Sequence, residues 1–205
     1  MGKTLFVILL TYFKINGKIY HIEKTKEEAL SMGVQENNLM KFCSFYVSEW
    51  HLITMLLPYI NQKINEQAKI ATILENNIEE NVTTLLQKLN LKNKEKIQNI
   101  NWNKEERKNI FSNLNESNKE IIIIVNGKNE FIKSKNEKIE KYLKTHKINQ
   151  KIKIINCYEL IEFNGSITEI LDEHDKILNT SGEKEITDVF EDYEKESKQE
   201  SKLAI

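Results

Sequence analysis

Two hydrophobic patterns alternate along this chain after residue 40. Short apolar runs, such as FCSFYV at 42–47 and IIIIV at 121–125, are typical of buried strands. Between such runs, apolar residues recur every three or four positions, as expected for helices with one buried face. Because strands that alternate with helices form parallel sheets through helical crossovers, the pattern predicts an α/β fold. We expect a three-layer sandwich with a mostly parallel sheet of five or more strands.

The segment 41–75 is predicted to fold as strand, helix and strand. Ser48 is expected to cap the helix, and Pro58, the single proline of the chain, is expected to kink it. The segment 121–125 is apolar on both faces, which predicts a central strand. The other predicted elements are helices over 78–91, 105–114 and 131–146, a weak strand or a loop that carries Trp102 to a cleft over 97–102, a strand over 152–160, and a final helix that begins at a capping box of Ser166 and Glu169 and ends at Leu178.

The two ends of the chain differ from this pattern. Residues 4–23 are predicted to form a β-hairpin, because Asn16-Gly17 separates two apolar runs and supplies the residues that a tight turn requires. We therefore divide the chain into an N-terminal hairpin and short helix at 1–39, an α/β domain at 40–180 and a charged tail at 181–205. Whether the hairpin joins the main sheet stays open.

Composition excludes several classes of function. The chain has 30 basic against 31 acidic residues and a net charge of −1, so no strong attraction to nucleic acid or to an anionic membrane is expected. Its two cysteines, Cys43 and Cys157, show neither a metal-binding nor a disulfide spacing, which favours a cytoplasmic protein. The most apolar segment, 5–12, is far shorter than the ~20 residues that span a bilayer. It also lacks the features of a signal peptide.

Candidate binding residues follow from position. In open α/β sheets, ligands bind outside the carboxyl ends of the strands. The candidates for ligand binding at these ends are Tyr46, His51, Glu75, Trp102, Asn126 and Tyr158.

The sequence predicts no catalytic residue, metal or cofactor. It contains neither a glycine-rich nucleotide-binding fingerprint nor a GxSxG motif. Glu173, His174 and Asp175 are adjacent in the predicted final helix, and neighbouring helical side chains point about 100° apart, so they cannot converge on one ion. We interpret His174 as a residue of a helix face or an interface.

Three stretches carry a resemblance to a known family. FCSFYVSEWHLITMLLPYI at 42–60, KIATILE at 69–75 and INCYELIEFNGSITEILDEHDKIL at 155–178 resemble the MEDS domain, the methanogen/methylotroph sensory domain. The resemblance implies a RecA-like sensory domain that binds small molecules and lacks nucleotide-hydrolysing motifs. Two positions depart from the family: Lys41 stands where its opening histidine is expected, and Gln67-Ala68-Lys69 replaces its usual Gly-Glu.

Three hypotheses on function remain. The first is a non-enzymatic cytoplasmic sensor that binds a small, partly apolar molecule at the carboxyl ends of the strands and signals through a regulatory protein. The second is a protein-interaction scaffold without a ligand. The third is an enzyme acting on nucleotides or other phosphorylated metabolites. The sequence leaves the ligand, the partner and the oligomeric state open.

Overall fold

A computed structural model describes residues 9–15, 18–24, 39–103, 120–146, 150–161, 166–191 and 193, the first two ranges by their backbone. The chain forms two units, 1–37 and 38–205. In the first unit, β1 (Leu9–Ile15) pairs antiparallel with β2 (Lys18–Lys24). The Asn16-Gly17 turn lies outside the described residues, so a hairpin that joins the two strands stays a prediction.

The second unit alternates strands and helices along the chain. Its described elements are β3 (Leu39–Tyr46), α1 (Glu49–Asn65), β4 (Lys69–Leu74), α2 (Glu79–Lys88), α3 (Lys94–Gln98), β5 (Glu120–Asn126), α4 (Asn129–His146), β6 (Lys151–Glu159), α5 (Ile167–Asp172), β7 (Lys176–Asn179), β8 (Gly182–Lys184) and a 3-10 turn (Ile186–Asp188). The helix predicted over 105–114 lies outside the described residues.

These strands form one sheet in the order β4-β5-β6-β3-β7-β8. Every pair is parallel except β7 with β8. The prediction of an α/β fold with a mostly parallel sheet is confirmed. In this register Tyr46 lies opposite Glu159, and Asn126 opposite Cys157, so the strands end together at what we call the carboxyl edge.

Helices cover both faces of the sheet. Successive residues of a strand point to opposite faces, so Ile122 and Ile124 of β5 pack with α1, α2 and α3, whereas Ile121, Ile123 and Val125 pack with α4 and α5. We call these two apolar clusters the α1 core and the α4 core. All five residues 121–125 are fully buried, and β5 lies inside the sheet between β4 and β6. This arrangement is consistent with a three-layer sandwich.

Several local predictions were wrong. The segment 97–102 is not a strand: its first residues close the helix α3, and Trp102 packs into the α1 core. The last helix ends at Asp172, and 176–179 is the strand β7, because the adjacent residues Ile177 and Leu178 are buried against opposite faces of the sheet. The capping box at Ser166 does not form, since that side chain makes no capping hydrogen bond.

Two further predictions concern the helix α1 and the C-terminal limit of the α/β unit. Ser48 caps α1 as predicted, accepting a hydrogen bond from the backbone nitrogen of His51, and Pro58 lies inside α1 without ending it. At the other end, Gly182–Lys184, which the sequence analysis assigns to the charged tail, pair with β7 and extend the sheet by one strand.

Candidate functional site

Tyr46 and Asn126 meet at the carboxyl edge. The side-chain amide of Asn126 donates to the Tyr46 hydroxyl over 2.8 Å and to the carbonyl of Cys157 over 3.3 Å. The contact spans β6, because β5 and β3 lie on either side of that strand. Both side chains are buried. The fold thus brings these two candidate residues together, but their polar groups bind each other.

Glu75 fastens the end of β4 to the start of α4. Its carboxylate accepts from the backbone nitrogen of Lys128 over 2.6 Å, and its own nitrogen donates to the Asn126 carbonyl over 2.9 Å. A carboxylate at a helix N-terminus is favoured by the helix dipole. The backbone at Gly127 passes so close that a Cβ there would lie 2.6 Å from Glu75 Oε2 and 2.7 Å from Phe131 Cδ1. Glu75 is therefore placed to stabilise this junction.

His51 forms a hydrogen bond with the loop after β3. It lies in the first turn of α1, and its Nδ1 accepts a hydrogen bond from the backbone nitrogen of Val47 over 3.4 Å. This ring nitrogen is directed at the protein's own backbone.

Trp102 and Tyr158 lie on opposite faces of the sheet. Trp102 is 1% exposed in the α1 core, and its Nε1 donates to the carbonyl of Ile97 over 2.8 Å, so it is not carried to a cleft as predicted. Tyr158 is 2% exposed in the α4 core. The six candidate residues therefore do not line one pocket, and their binding of a ligand stays a prediction.

A group of exposed apolar side chains, which was not predicted from the sequence, lies at the same edge. Val47 and Trp50 follow β3, and Leu160 and Ile161 follow β6; their exposed fractions are 50, 43, 39 and 77%. The backbone nitrogen of Leu160 donates to the Tyr46 carbonyl over 2.8 Å, which ties the two loops together. We call these four residues the apolar rim.

One signal in the sequence identifies part of the rim. Trp50, Thr54 and Pro58 recur every fourth residue of α1 and are all exposed, so a helical projection separates Trp50 from the buried stripe. Val47, Leu160 and Ile161 continue apolar strand runs and give no comparable signal.

His174 was also misread. It lies between α5 and β7, is 2% exposed, and its Nδ1 is 2.5 Å from the carbonyl of Ile170. Because a carbonyl only accepts, Nδ1 carries the proton, and Nε2 accepts from the Asn156 amide over 2.9 Å. Burial lowers the pKa of His174 to about 4. The interpretation as a helix-face residue was wrong, because the predicted helix ends before it, and the alternative of an interface residue stays a prediction.

Another polar cluster, centred on Glu183, lies on the α1 face of the sheet. Lys153 Nζ is 2.7 and 3.0 Å from the two oxygens of Glu183, and 3.2 Å from Glu120. Tyr59 donates to Glu183 over 2.9 Å, and Lys63 Nζ lies 3.4 Å from the same carboxylate. Burial and the negative charge of Glu183 raise the pKa of Tyr59. The charges of this cluster are paired, and they hold β8 against α1 and β6.

Reactive groups are scarce in the described part of the chain. Burial raises the pKa of the Cys43 thiol to about 12 and also raises that of Cys157, so neither is a ready nucleophile. Among the described residues, no three histidine, cysteine or acidic side chains are grouped so that they would hold a metal ion. No described helix is long and apolar enough to cross a membrane.

Comparison of the chain with protein-family models, with curated proteins and with solved structures gives no match. The resemblance to the MEDS domain therefore stays a prediction.

Proposed function

We propose that this chain is a non-catalytic regulatory domain that binds a protein partner at the apolar rim. The observation that carries the proposal is the exposure of four apolar side chains, Val47, Trp50, Leu160 and Ile161, on the segment after β3 with the first turn of α1 and on the loop after β6. Single exposed apolar residues are ordinary on protein surfaces, whereas several exposed on segments joined by a hydrogen bond support an interaction site.

The position of the rim supports the same conclusion. β3 is followed by α1 on one face of the sheet, whereas β6 is followed by α5 on the other. In open α/β sheets, binding sites lie where connections from adjacent strands diverge in this way, outside the carboxyl ends. The rim stands at the ends of these two strands.

The rim is also held in place before any partner arrives. Ser48 caps α1, and the bond from Leu160 to Tyr46 fixes the second loop to the first. A surface that is ordered in advance loses less conformational entropy on binding. Full burial of each aliphatic side chain contributes about 1.5–3 kcal/mol, and tryptophan is enriched among residues that dominate binding energy.

The polar groups of this edge support binding over catalysis. The Tyr46–Asn126 contact, the Glu75 carboxylate on the nitrogen of Lys128, and the His51 ring on the Val47 nitrogen are all internal. Each group stabilises a loop or a helix end. A domain that regulates a partner by contact needs no reactive side chain.

Substitutions in the rim test the proposal. Trp50→Ser and Ile161→Ser each remove apolar surface, and Val189→Ser is the matched control, because Val189 is 38% exposed and lies next to the 3-10 turn rather than on the rim. We expect a partner captured from an extract of the native cells by the wild-type chain to be lost with both rim variants and retained with the control. Circular dichroism checks that all variants fold. Undiminished capture by both rim variants would contradict the proposal.

Small-molecule sensing at the same edge is the second candidate. The buried contact between Tyr46 and Asn126, just below the rim loops, favours it, because a hydrogen-bonding ligand that separated the pair would move the end of β3. Such a ligand transmits a signal only if it binds one state better than the other. We expect a screen of metabolites to raise the melting temperature of the wild type more than that of Tyr46→Phe. Equal shifts in both, or no shift at millimolar concentration, would exclude this mechanism.

A further inference from the structure

The charges around the apolar rim indicate which kind of partner it accepts. We infer that the partner presents an apolar segment flanked by lysine or arginine. This inference rests on the proposed function, since it takes the rim as the binding surface.

Acidic residues are concentrated at the carboxyl edge. The first turns of α1, α2, α4 and α5, the residue after β4 and the last residue of β6 are acidic. The residues are Glu49, Glu79, Glu80, Glu130, Glu169, Glu75 and Glu159. In the described segments at this edge, Lys128 is the single lysine against these seven glutamates.

Basic residues occur in the last turns of three helices that run away from the carboxyl edge. The last turns of α1, α2 and α4 contain Lys63, Lys88, Lys144 and His146, and Lys63 is paired with Glu66 and Glu183. The net charge of −1 is therefore unevenly spread, because the described segments of the carboxyl edge are mainly acidic. Since exposed charges act over about one Debye length, roughly 8 Å at physiological salt, a partner at the rim meets mainly the negative end.

This negative end excludes several other occupants. Nucleic acid and anionic lipid would both bring phosphates towards the glutamates of the carboxyl edge. A second copy docked rim to rim would bring like charges together, which is costly in an interface. A basic apolar segment meets neither penalty.

The rim offers such a segment specific contacts. Trp50 is exposed in the first turn of α1, which also contains Glu49, whose carboxylate accepts a hydrogen bond from Asn81, and Glu159 precedes Leu160 in the chain. Lysine and arginine lay their aliphatic stems along apolar surface while the charged head remains in water. Over an exposed indole they also gain a cation–π contact of about 0.5–1 kcal/mol.

The two tryptophans of the chain provide a local assay. Trp50 is 43% exposed at the rim, whereas Trp102 is 1% exposed and hydrogen bonded in the α1 core. Quenching of fluorescence by acrylamide, a neutral molecule, therefore reports mainly on Trp50. The probe is an amphipathic peptide of leucine and lysine. Its controls are the same peptide with glutamate for every lysine and the same peptide with serine for every leucine.

We expect the leucine–lysine peptide to protect Trp50 from acrylamide and both control peptides to leave it accessible. Glu49→Gln and Glu159→Gln should each weaken binding about two- to fivefold, the range for one exposed charge pair, and added salt should weaken it further. Val189→Ser should bind as the wild type does. Trp50→Phe, which retains the buried Trp102, should show no change in quenching.

Each other result overturns the inference. Equal protection by the glutamate peptide, or none by the lysine peptide, would show that charge does not select the partner. Binding without protection of Trp50 would place the peptide elsewhere. A dimer seen by light scattering and lost in Trp50→Ser would make a second copy the occupant. If the natural partner is lost with Trp50→Ser but retained with Glu49→Gln and Glu159→Gln at any salt, the proposed function stands and the basic partner does not.

Discussion

Replacement of Glu183 by glutamine measures how firmly the short strand β8 is held to the sheet. The substitution keeps the shape of the side chain and removes its charge. Glu183 pairs with Lys153 and Lys63, whose Nζ atoms lie 2.7 and 3.4 Å from Oε1, and it accepts a hydrogen bond from Tyr59 over 2.9 Å. The variant leaves both lysines without this counter-charge.

The burial of the cluster sets the size of the effect. The side chains of Lys63, Lys153 and Glu183 are 11, 13 and 26% exposed, which lies between a surface pair and a buried one. Exposed ion pairs contribute about 0–1 kcal/mol, whereas breaking a buried pair costs about 3–5 kcal/mol. We therefore expect Glu183→Gln to lower the free energy of unfolding by about 2 kcal/mol. In a chain of this size that corresponds to about 4–8 °C in melting temperature.

The pH dependence of this difference follows from the pKa of Glu183. Burial alone would raise that pKa, but the hydrogen bonds from Lys153 and Tyr59 and the charges of Lys153 and Lys63 outweigh burial and lower it. A carboxyl with a lowered folded-state pKa stabilises the protein fully above its unfolded pKa, about 4.3. The contribution is lost as the pH falls through the folded-state value. The wild type and the variant should therefore differ at pH 7 and converge in strong acid.

Urea unfolding at a series of pH values measures both effects. Glu185→Gln is the matched control, because Glu185 pairs with Lys176 but its side chain is 54% exposed; we expect a loss below about 0.5 kcal/mol. A double-mutant cycle with Lys153→Met isolates the pairwise energy. Equal losses in the two glutamine variants, or a difference that persists unchanged in acid, would refute the argument from partial burial.

Three further predictions concern the interior. His174 has a pKa of about 4 in the folded protein against about 6.5 in an unfolded chain, so its protonation should lower the free energy of unfolding of the wild type by about 3 kcal/mol between pH 7 and 4. His174→Gln should lack this loss in urea titrations at each pH. An equal dependence of the free energy of unfolding on pH in both proteins would contradict the prediction. Gly127→Ala should cost about 1–3 kcal/mol in the same assay, because its Cβ would clash with Glu75 and Phe131, and an unchanged midpoint would show that the junction yields freely. Trp102→Phe should lower the free energy of unfolding by about 2–4 kcal/mol, because the smaller ring leaves a cavity and the indole hydrogen bond is lost. Trp50→Phe should lower it by less than about 0.5 kcal/mol. The reverse order would mean that Trp102 is not the buried ring.

The layered sheet was predictable because its central strand is a continuous run of apolar residues in the sequence. Five consecutive β-branched residues at 121–125 fit only a strand covered on both faces, and the structure buries all five. The segment 176–179 gave no such signal, because four residues after a helical stretch are too few to show a period of two. Its neighbours β3 and β8 determine that it is a strand.

The positions of the candidate residues at the strand ends were predictable from the sequence, but the contacts of their side chains were not. Strand ends at 46, 74, 126 and 159 were located to within a residue or two, which placed Tyr46 and Asn126 at one edge. Which face each side chain takes depends on where the pleat begins, and a shift of one residue exchanges the faces. Tyr158 and Cys157 are both apolar enough for either core, so the sequence could not show that Tyr158 faces away from Tyr46.

The glutamates of the carboxyl edge have a structural explanation that does not extend to the apolar rim. Acidic residues in first turns stabilise helices through the dipole, so an α/β sheet tends to become negative where its strands end and its helices begin. This effect gives no reason for Trp50 and Ile161 to face water, and their exposure opposes folding stability by leaving apolar surface hydrated. Loss of partner binding in the rim variants therefore discriminates function from fold more sharply than any charge substitution, because stability alone would not retain those side chains in solvent.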